Sequence, residues 1–309
     1  MPLYLSEADV TSLAEPADAV PVIEACFARM AAGAVDNVPR RRLAAPGGSY
    51  AVMAATDLEL GYAGTKSYLV GGGGTNFVVS LFSLEDGSLV ALLEADRLGQ
   101  LRTGAASGVA AKHLARAGAS SLGVIGVGLQ AETQLQAIEA ALPSLERSVA
   151  WGRNPDRVAA YCKRTGAEPA ETSQEAAACD VVVTITSSND PVLRGEWLRP
   201  GALVCAAGAN RPQARELDNV VLQRAAFVCC DSVEDAKLES GDLRDPVAAG
   251  VLDWLEVHEL QEVVGGQVVG RQVDTDIVVF KSNGLAAWDV AMAAELVERA
   301  RERGVGREL

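Results

Sequence analysis

Histidine is nearly absent from this chain: His113 and His258 are the only two among 309 residues. That scarcity leaves little material for a Ser-His-Asp triad or an imidazole-based metal site. Cysteine occurs six times, yet Cys26, Cys162, Cys179, Cys205, Cys229 and Cys230 form no Cys-x-x-Cys pair and mostly lie in apolar runs. They read as free thiols packed as small hydrophobes, and no metal is expected. Positive charge is also short. The 27 Lys and Arg face 41 Asp and Glu, a formal balance of −14, which argues against nucleic acid or an anionic membrane as partner. No stretch approaches ~20 consecutive apolar residues, and no basic segment leads into an apolar one at the start. Neither a membrane span nor a secretory signal is expected, and the chain reads as cytoplasmic. With 49% hydrophobic and 22% charged residues it has a globular composition and length enough for two domains.

What is present falls into two patterns. Ser6 and Asp9 form a capping pair for a short helix, and residues 18–30 carry apolar residues at helical spacing. After Pro39-Arg40-Arg41-Arg42 the pattern turns to strands at 50–54, 63–69, 77–82 and 89–93, with turns at Gly71 to Gly74 and at Glu85-Asp86-Gly87. An alanine-rich helix is expected over 95–116. Beyond it strands alternate with helices at 148–151, 156–164, 181–186, 202–206, 220–224 and 227–230, before a last strand at 277–281 and a helix at 286–303. Such alternation implies a parallel sheet covered on both faces.

The second pattern opens on a glycine turn. An apolar run through Val124 and Ile125 breaks into Gly126-x-Gly128-x-x-Ala131 and continues with Leu135 and Ile138 at helical spacing. Gly126 permits the tight turn, Gly128 lets the backbone approach a pyrophosphate, and Ala131 lets the new helix pack on the strand. Backbone N–H groups at the helix start face the phosphates. The next strand ends Trp151-Gly152-Arg153-Asn154, with no acid where a free ribose 2′-hydroxyl needs one. NADP(H) is therefore favoured over NAD(H), with Arg153 set against a 2′-phosphate. Asn154 also reads as the cap of the following helix, with Pro155 at its first position. Thr186-Ser187-Ser188 closes a strand at the sheet edge where ligands bind, although a plain turn explains the same residues. Lys66 in a strand and Arg102 in an apolar helix are lone cations that a solvated face would also explain.

Taken in order, Gly64-Thr65-Lys66, Leu101-Arg102-Thr103-Gly104-Ala105-Ala106-Ser107, Gly126-x-Gly128-x-Gln130-Ala131, Gly208-Ala209-Asn210-Arg211-Pro212, Arg215-Glu216-Leu217-Asp218 and Phe280-Lys281-Ser282-Asn283-Gly284 strongly resemble the ornithine cyclodeaminase/mu-crystallin family. The resemblance implies an α/β fold: a Rossmann doubly wound parallel sheet over 119–277 beside a smaller mixed α+β substrate and dimerisation domain, 1–118 completed by 278–309. It implies a homodimer acting on a small imino or amino acid. It also assigns residues. Lys66 matches a substrate-contacting lysine and proton donor, and Arg41 a carboxylate-binding cation, with Arg40 and Arg42 as alternatives in the triple run. Arg102 matches an arginine near both substrate and cofactor, and Asn283 a substrate contact. Leu129, Gln130, Gly152, Arg153, Asn154, Thr186, Ser187, Ser188 and Ser282 match dinucleotide contacts.

Asn210 departs from the cyclodeaminase pattern, which carries aspartate here to take a proton from the substrate's terminal ammonium. An amide cannot take it. The resemblance is thus closer to the reductase-like mu-crystallin branch, and the expected activity is NAD(P)H-dependent reduction of α-ketimine acids such as pyrroline-2-carboxylate or piperideine-2-carboxylate, reversible as an amino-acid dehydrogenase. The alternatives are an ornithine cyclodeaminase with recycled NAD and a non-catalytic NADPH-dependent binding protein.

Overall fold

The computed structural model of the chain describes residues 1–71 and 74–309, and the chain packs as two units, 1–102 with 285–309, and 103–284. The first unit opens with β1 (Leu3–Leu5), α1 (Glu7–Leu13) and α2 (Pro16–Ala31). Ser6 caps α1 reciprocally: its hydroxyl accepts from the Asp9 N–H, and the Asp9 carboxylate accepts from the Ser6 N–H at 2.9 Å. Five strands follow, β2 (Val35–Ala45), β3 (Gly48–Asp57), β4 (Tyr62–Gly71), β5 (Gly74–Ser83) and β6 (Leu89–Glu94), an antiparallel meander with β1 added parallel to β6. The middle of the expected Gly71 to Gly74 turn, positions 72 and 73, lies outside the described residues.

Strand β2 is an addition to the sequence reading, which began the strands only after the arginine cluster. Pro39 sits inside it because β2 is the sheet edge and its register shifts between Val38 and Arg41, the setting in which a residue without an N–H is tolerated. Alternation along β4 puts Gly64, Lys66 and Tyr68 on the buried face and Leu69 on the other.

Helix α3 (Asp96–Leu114) leaves this sheet and runs past the division between units, which falls at 102/103, not at 118/119 as expected. The cause is close packing. A Cβ on Gly104 would overlap the backbone of Thr133 and Gln134, so this part of α3 belongs to the second unit. That unit contains β7 (Ser121–Ile125), α4 (Ala131–Ala141), β8 (Arg147–Trp151), α5 (Pro155–Thr165), β9 (Glu168–Pro169), α6 (Ser173–Ala177), β10 (Val181–Thr184), β11 (Leu203–Ala206), α7 (Asn219–Arg224), β12 (Ala225–Cys230), α8 (Val233–Glu239), α9 (Gly241–Ala248), β13 (Val257–Glu259), α10 (Leu260–Val264) and β14 (Ile277–Lys281). Its strands are all parallel, in the order β13-β12-β14-β11-β10-β7-β8-β9. Every residue of β10, β11 and β14 is buried, as a sheet covered on both faces requires. Because β14 is one of these strands, the second division falls after it, at 284/285. The chain passes from β7 to β8 on one side and returns to β10 on the other, so the topological switch lies between β7 and β10.

The last segment completes the first unit with α11 (Ala286–Arg303) and β15 (Arg307–Glu308), which pairs with β1. Helix α11 lies on the face of the antiparallel sheet that bears Lys66. Trp288 meets Phe27 of α2 edge-on with ring centroids 5.4 Å apart, and Gly64 admits Val290, whose methyl would come within 2.9 Å of a Cβ there.

Candidate active site

In the first unit, two cations converge on one carboxylate. The Lys66 ammonium donates to Asp289 Oδ1 at 2.8 Å, and the Arg102 Nε donates to the same oxygen at 3.1 Å. All three side chains are buried, Lys66 at 2% and Asp289 at 1% exposure. Lys66 also lies 5.1 Å from the Phe77 ring centre and Arg102 5.7 Å from that of Trp288, so apolar walls enclose the charges. Burial lowers the Lys66 amine to about 8; Asp289 pulls it back up, and Arg102 and Arg40 push it further down. Gly99 of α3 makes room for it, since a Cβ there would stand 2.8 Å from Nζ.

Of the three consecutive arginines, Arg40 is the buried one, its Nε donating to Met53 Sδ at 3.3 Å, and its charge acts on Lys66. Arg41 is exposed and pairs with Val52 on the opposite face, and the Arg42 guanidinium lies 3.4 Å from the Tyr68 hydroxyl. The register shift in β2 is what turns Arg40 inward.

In the second unit, the expected dinucleotide residues gather at the carboxyl edge of the parallel sheet. Gly126, Gly128, Leu129, Gln130 and Ala131 lie between β7 and α4; Gly152, Arg153 and Asn154 follow β8; Thr186, Ser187 and Ser188 follow β10; Asn210 follows β11; and Ser282 and Asn283 follow β14. The turn fits a dinucleotide phosphate. Gly126 has φ +108° and sits against the backbone of Ile185, where a Cβ would collide, whereas a Cβ on Gly128 would meet nothing within 4 Å. Asn154 spends its side-chain oxygen on the Arg157 N–H at 3.0 Å, as a helix cap, while Arg153 is exposed.

Sequence reasoning passed over the groups that hold this edge in shape. Glu216, fully buried, accepts from the Thr186 N–H at 2.6 Å through Oε1, and from the Gly208 and Ala209 N–H groups at 2.7 and 3.1 Å through Oε2. Burial raises its carboxyl, while Lys281 opposes the rise. Asp242 accepts from the Glu216 and Leu217 N–H groups and pairs with Lys281 at 3.2 Å, and the Lys281 ammonium also donates to the Ala209 carbonyl at 2.5 Å. Asp231 ties the end of β14, accepting from the Asn283 and Gly284 N–H groups at 2.6 Å each and from the Ser282 hydroxyl at 3.2 Å. Asp231 and Lys281 stand at the ends of apolar runs in the sequence, and Asp289 of the first unit inside Ala-Trp-Asp-Val-Ala, whereas Glu216 and Asp242 lie in polar stretches that carry no such signal.

A parallel sheet with its glycine turn at the switch point, and a separate sheet bearing a buried lysine, define a Rossmann-type α/β protein with a companion unit. The chain belongs to the ornithine cyclodeaminase/mu-crystallin family, whose profile matches residues 2–304. It is 35% identical over 318 residues to an alanine dehydrogenase of Archaeoglobus fulgidus, covering 99% of this chain and 98% of that protein. Its fold matches the Thermococcus litoralis Delta(1)-pyrroline-2-carboxylate reductase in complex with NADH and L-proline, with TM-score 0.93, 30% identity, and 99% and 100% of the two chains covered. It also matches an archaeal alanine dehydrogenase dimer with bound NAD, with TM-score 0.93, 33% identity, and 100% and 98% covered.

Proposed function

We propose that the protein is an NADPH-dependent reductase of α-ketimine acids, running in reverse as an amino-acid dehydrogenase. The observation that carries this reading is the buried Lys66, Asp289 and Arg102 cluster: an ammonium that titrates near neutrality in an apolar enclosure beside a guanidinium. When bound, a reduced nicotinamide supplies hydride to the imine carbon. Lys66 supplies the proton to the imine nitrogen, and Arg102 with Arg40 holds the carboxylate by charge-assisted hydrogen bonds. The family resemblance also assigns Asn283 to the substrate. Gly126 to Ala131, Gly152 to Asn154, Thr186 to Ser188 and Ser282 hold the dinucleotide. The relatives' structures contain NADH and NAD; the preference for NADPH rests on Arg153 and on the missing acid after β8.

Asn210 supports reduction over cyclodeamination, because an amide leaves the terminal ammonium of ornithine protonated. The exposed face of the antiparallel sheet supports a homodimer: Val38, Leu43, Tyr50, Leu69, Val78 and Phe82 lie opposite the Lys66 face, each 38–60% exposed.

The test is a panel of cyclic and linear ketimine acids assayed by loss of NADPH absorbance, with L-ornithine and oxidised cofactor followed for ammonia and proline. Ketimine-dependent NADPH oxidation, lost in Lys66→Ala and Arg102→Ala while the thermal melt is kept, is the expected result. Stoichiometric proline and ammonia from ornithine would overturn it. Arg153→Ala is expected to erase most of an NADPH preference on the order of tenfold, the scale of one charge-assisted contact.

A further inference from the structure

Asp289 occupies an unusual position for a structural carboxylate. Its Oδ1 takes both the Lys66 ammonium and the Arg102 Nε, while its Oδ2 is buried and makes no hydrogen bond among the described residues. A carboxylate buried only to satisfy two cations would use both oxygens and bind each cation separately. Here a single oxygen is the pivot on which both cations are aimed. Three elements meet at Lys66 with charge: α11 brings Asp289, α3 brings Arg102, and β2 brings Arg40. Among these groups Asp289 alone is negative, so it alone favours a proton on Lys66.

We propose that Asp289 is the positioning residue of the reaction, which aims Lys66 and Arg102 together and keeps the transferable proton on Lys66. The inference rests on the reading of Lys66 as proton donor. In the reductive step the Nζ–H bond of Lys66 breaks as the new N–H bond on the substrate forms, while hydride from the reduced nicotinamide adds to the imine carbon. The neutral amine left on Lys66 then takes a proton from water. Without Asp289, two buried cations would face Lys66 unopposed, and its amine would lose the proton at lower pH.

The experiment titrates Lys66 in the ligand-free protein by NMR of ε-labelled lysine, the resonance being identified by its loss in Lys66→Arg, and records the pH dependence of kcat/KM for the same proteins. In Asp289→Asn the Lys66 midpoint is expected to fall by about one unit or more, and the alkaline limb of the rate profile to fall with it. Asp289→Glu keeps the charge and changes the reach, so the limb should stay while kcat drops roughly tenfold or more, a split that loss of packing alone would not produce. A Lys66 midpoint in Asp289→Asn equal to that of the unmodified protein would overturn the proposal. A midpoint that moves without the rate limb would support Asp289's hold on Lys66 and count against Lys66 as the donor, so the two readings fail separately. Should Asp289→Asn not fold, the Asp289→Glu split decides: an unchanged kcat there would overturn the positioning role.

Discussion

On the proposed reaction Lys66 acts as an acid in one direction and a base in the other, and burial places its crossover within reach of both. With its amine lowered to about 8 by burial, the protonated form needed for reduction dominates at neutral pH and is lost as pH rises through that value. Reduction should therefore fall above pH 8, while amino-acid oxidation, which needs the neutral amine, should rise over the same range; initial rates measured in both directions across pH 6 to 10 check this. Gly99 gives a second test at this scale. Replacing it by Ala improves helix propensity by about 1 kcal/mol, yet its Cβ would displace Nζ, so kcat/KM should drop about tenfold or more in a protein whose melting temperature does not fall. Lys66 and Arg102 were singled out in the sequence by the family resemblance, since a lone cation in a strand or an apolar helix is explained as well by a solvated face. Asp289 and Gly99 were not, because spacing along a helix does not tell which other element its buried face will meet. Arg41 was preferred to Arg40 by its Pro-x-Arg setting, and the bulge in β2 that turns Arg40 inward leaves no mark in the sequence.

The strands of the parallel sheet are held at both ends by carboxylates, Asp180 half-buried at one and Glu216 buried at the other, and the two ends should respond differently to neutralisation. At the amino end of β10, Asp180 accepts from the Ser120 and Ser121 N–H groups and from Arg116. Burial alone would raise its carboxyl, but the Ser120 N–H, the Arg116 guanidinium and the Ser121 hydroxyl outweigh it and hold it at about 2. A carboxyl depressed from its ordinary 3.8 contributes stability above that value and loses it as pH falls toward 2. Asp180→Asn should thus cost about 2 kcal/mol near neutrality and flatten the acid-unfolding curve below pH 4, with dinucleotide affinity unchanged. Glu216 stands at the carboxyl ends of β10 and β11. In Glu216→Gln one end of the amide must present N–H to another N–H, so Thr186 or the Gly208 and Ala209 pair is released. The dinucleotide Kd, measured by titration calorimetry, should rise about tenfold. Alternation of strands and helices was readable from 121 to 230 where the elements are apolar or several turns long, whereas β9 and α6, of 2 and 5 residues, went unread. Helices α8, α9 and α10, of 7, 8 and 5 residues, escaped notice because so few turns carry no readable period.

For the molecule as a whole, the sheet face opposite Lys66 is the feature that water tolerates least. A dimer through it predicts a solution mass twice the 32.2 kDa of one chain by light scattering, and Leu43→Glu with Val78→Glu should return the mass to that of a single chain. The units divide at 102/103, within α3, and a helix running through a boundary leaves no break in composition to mark it. The buried thiols turn that division into something measurable. Cys26 lies in the first unit, with its thiol pushed up to about 12 by burial, and Cys205, Cys229 and Cys230 lie on strands of the second, raised for the same reason. None can react with an alkylating reagent until its own surroundings open, whereas the half-buried Cys162 reacts from the folded state. Site-resolved alkylation followed by mass spectrometry should therefore act as two independent clocks, and a saturating dinucleotide should slow the clock of Cys205, Cys229 and Cys230 while that of Cys26 keeps its rate.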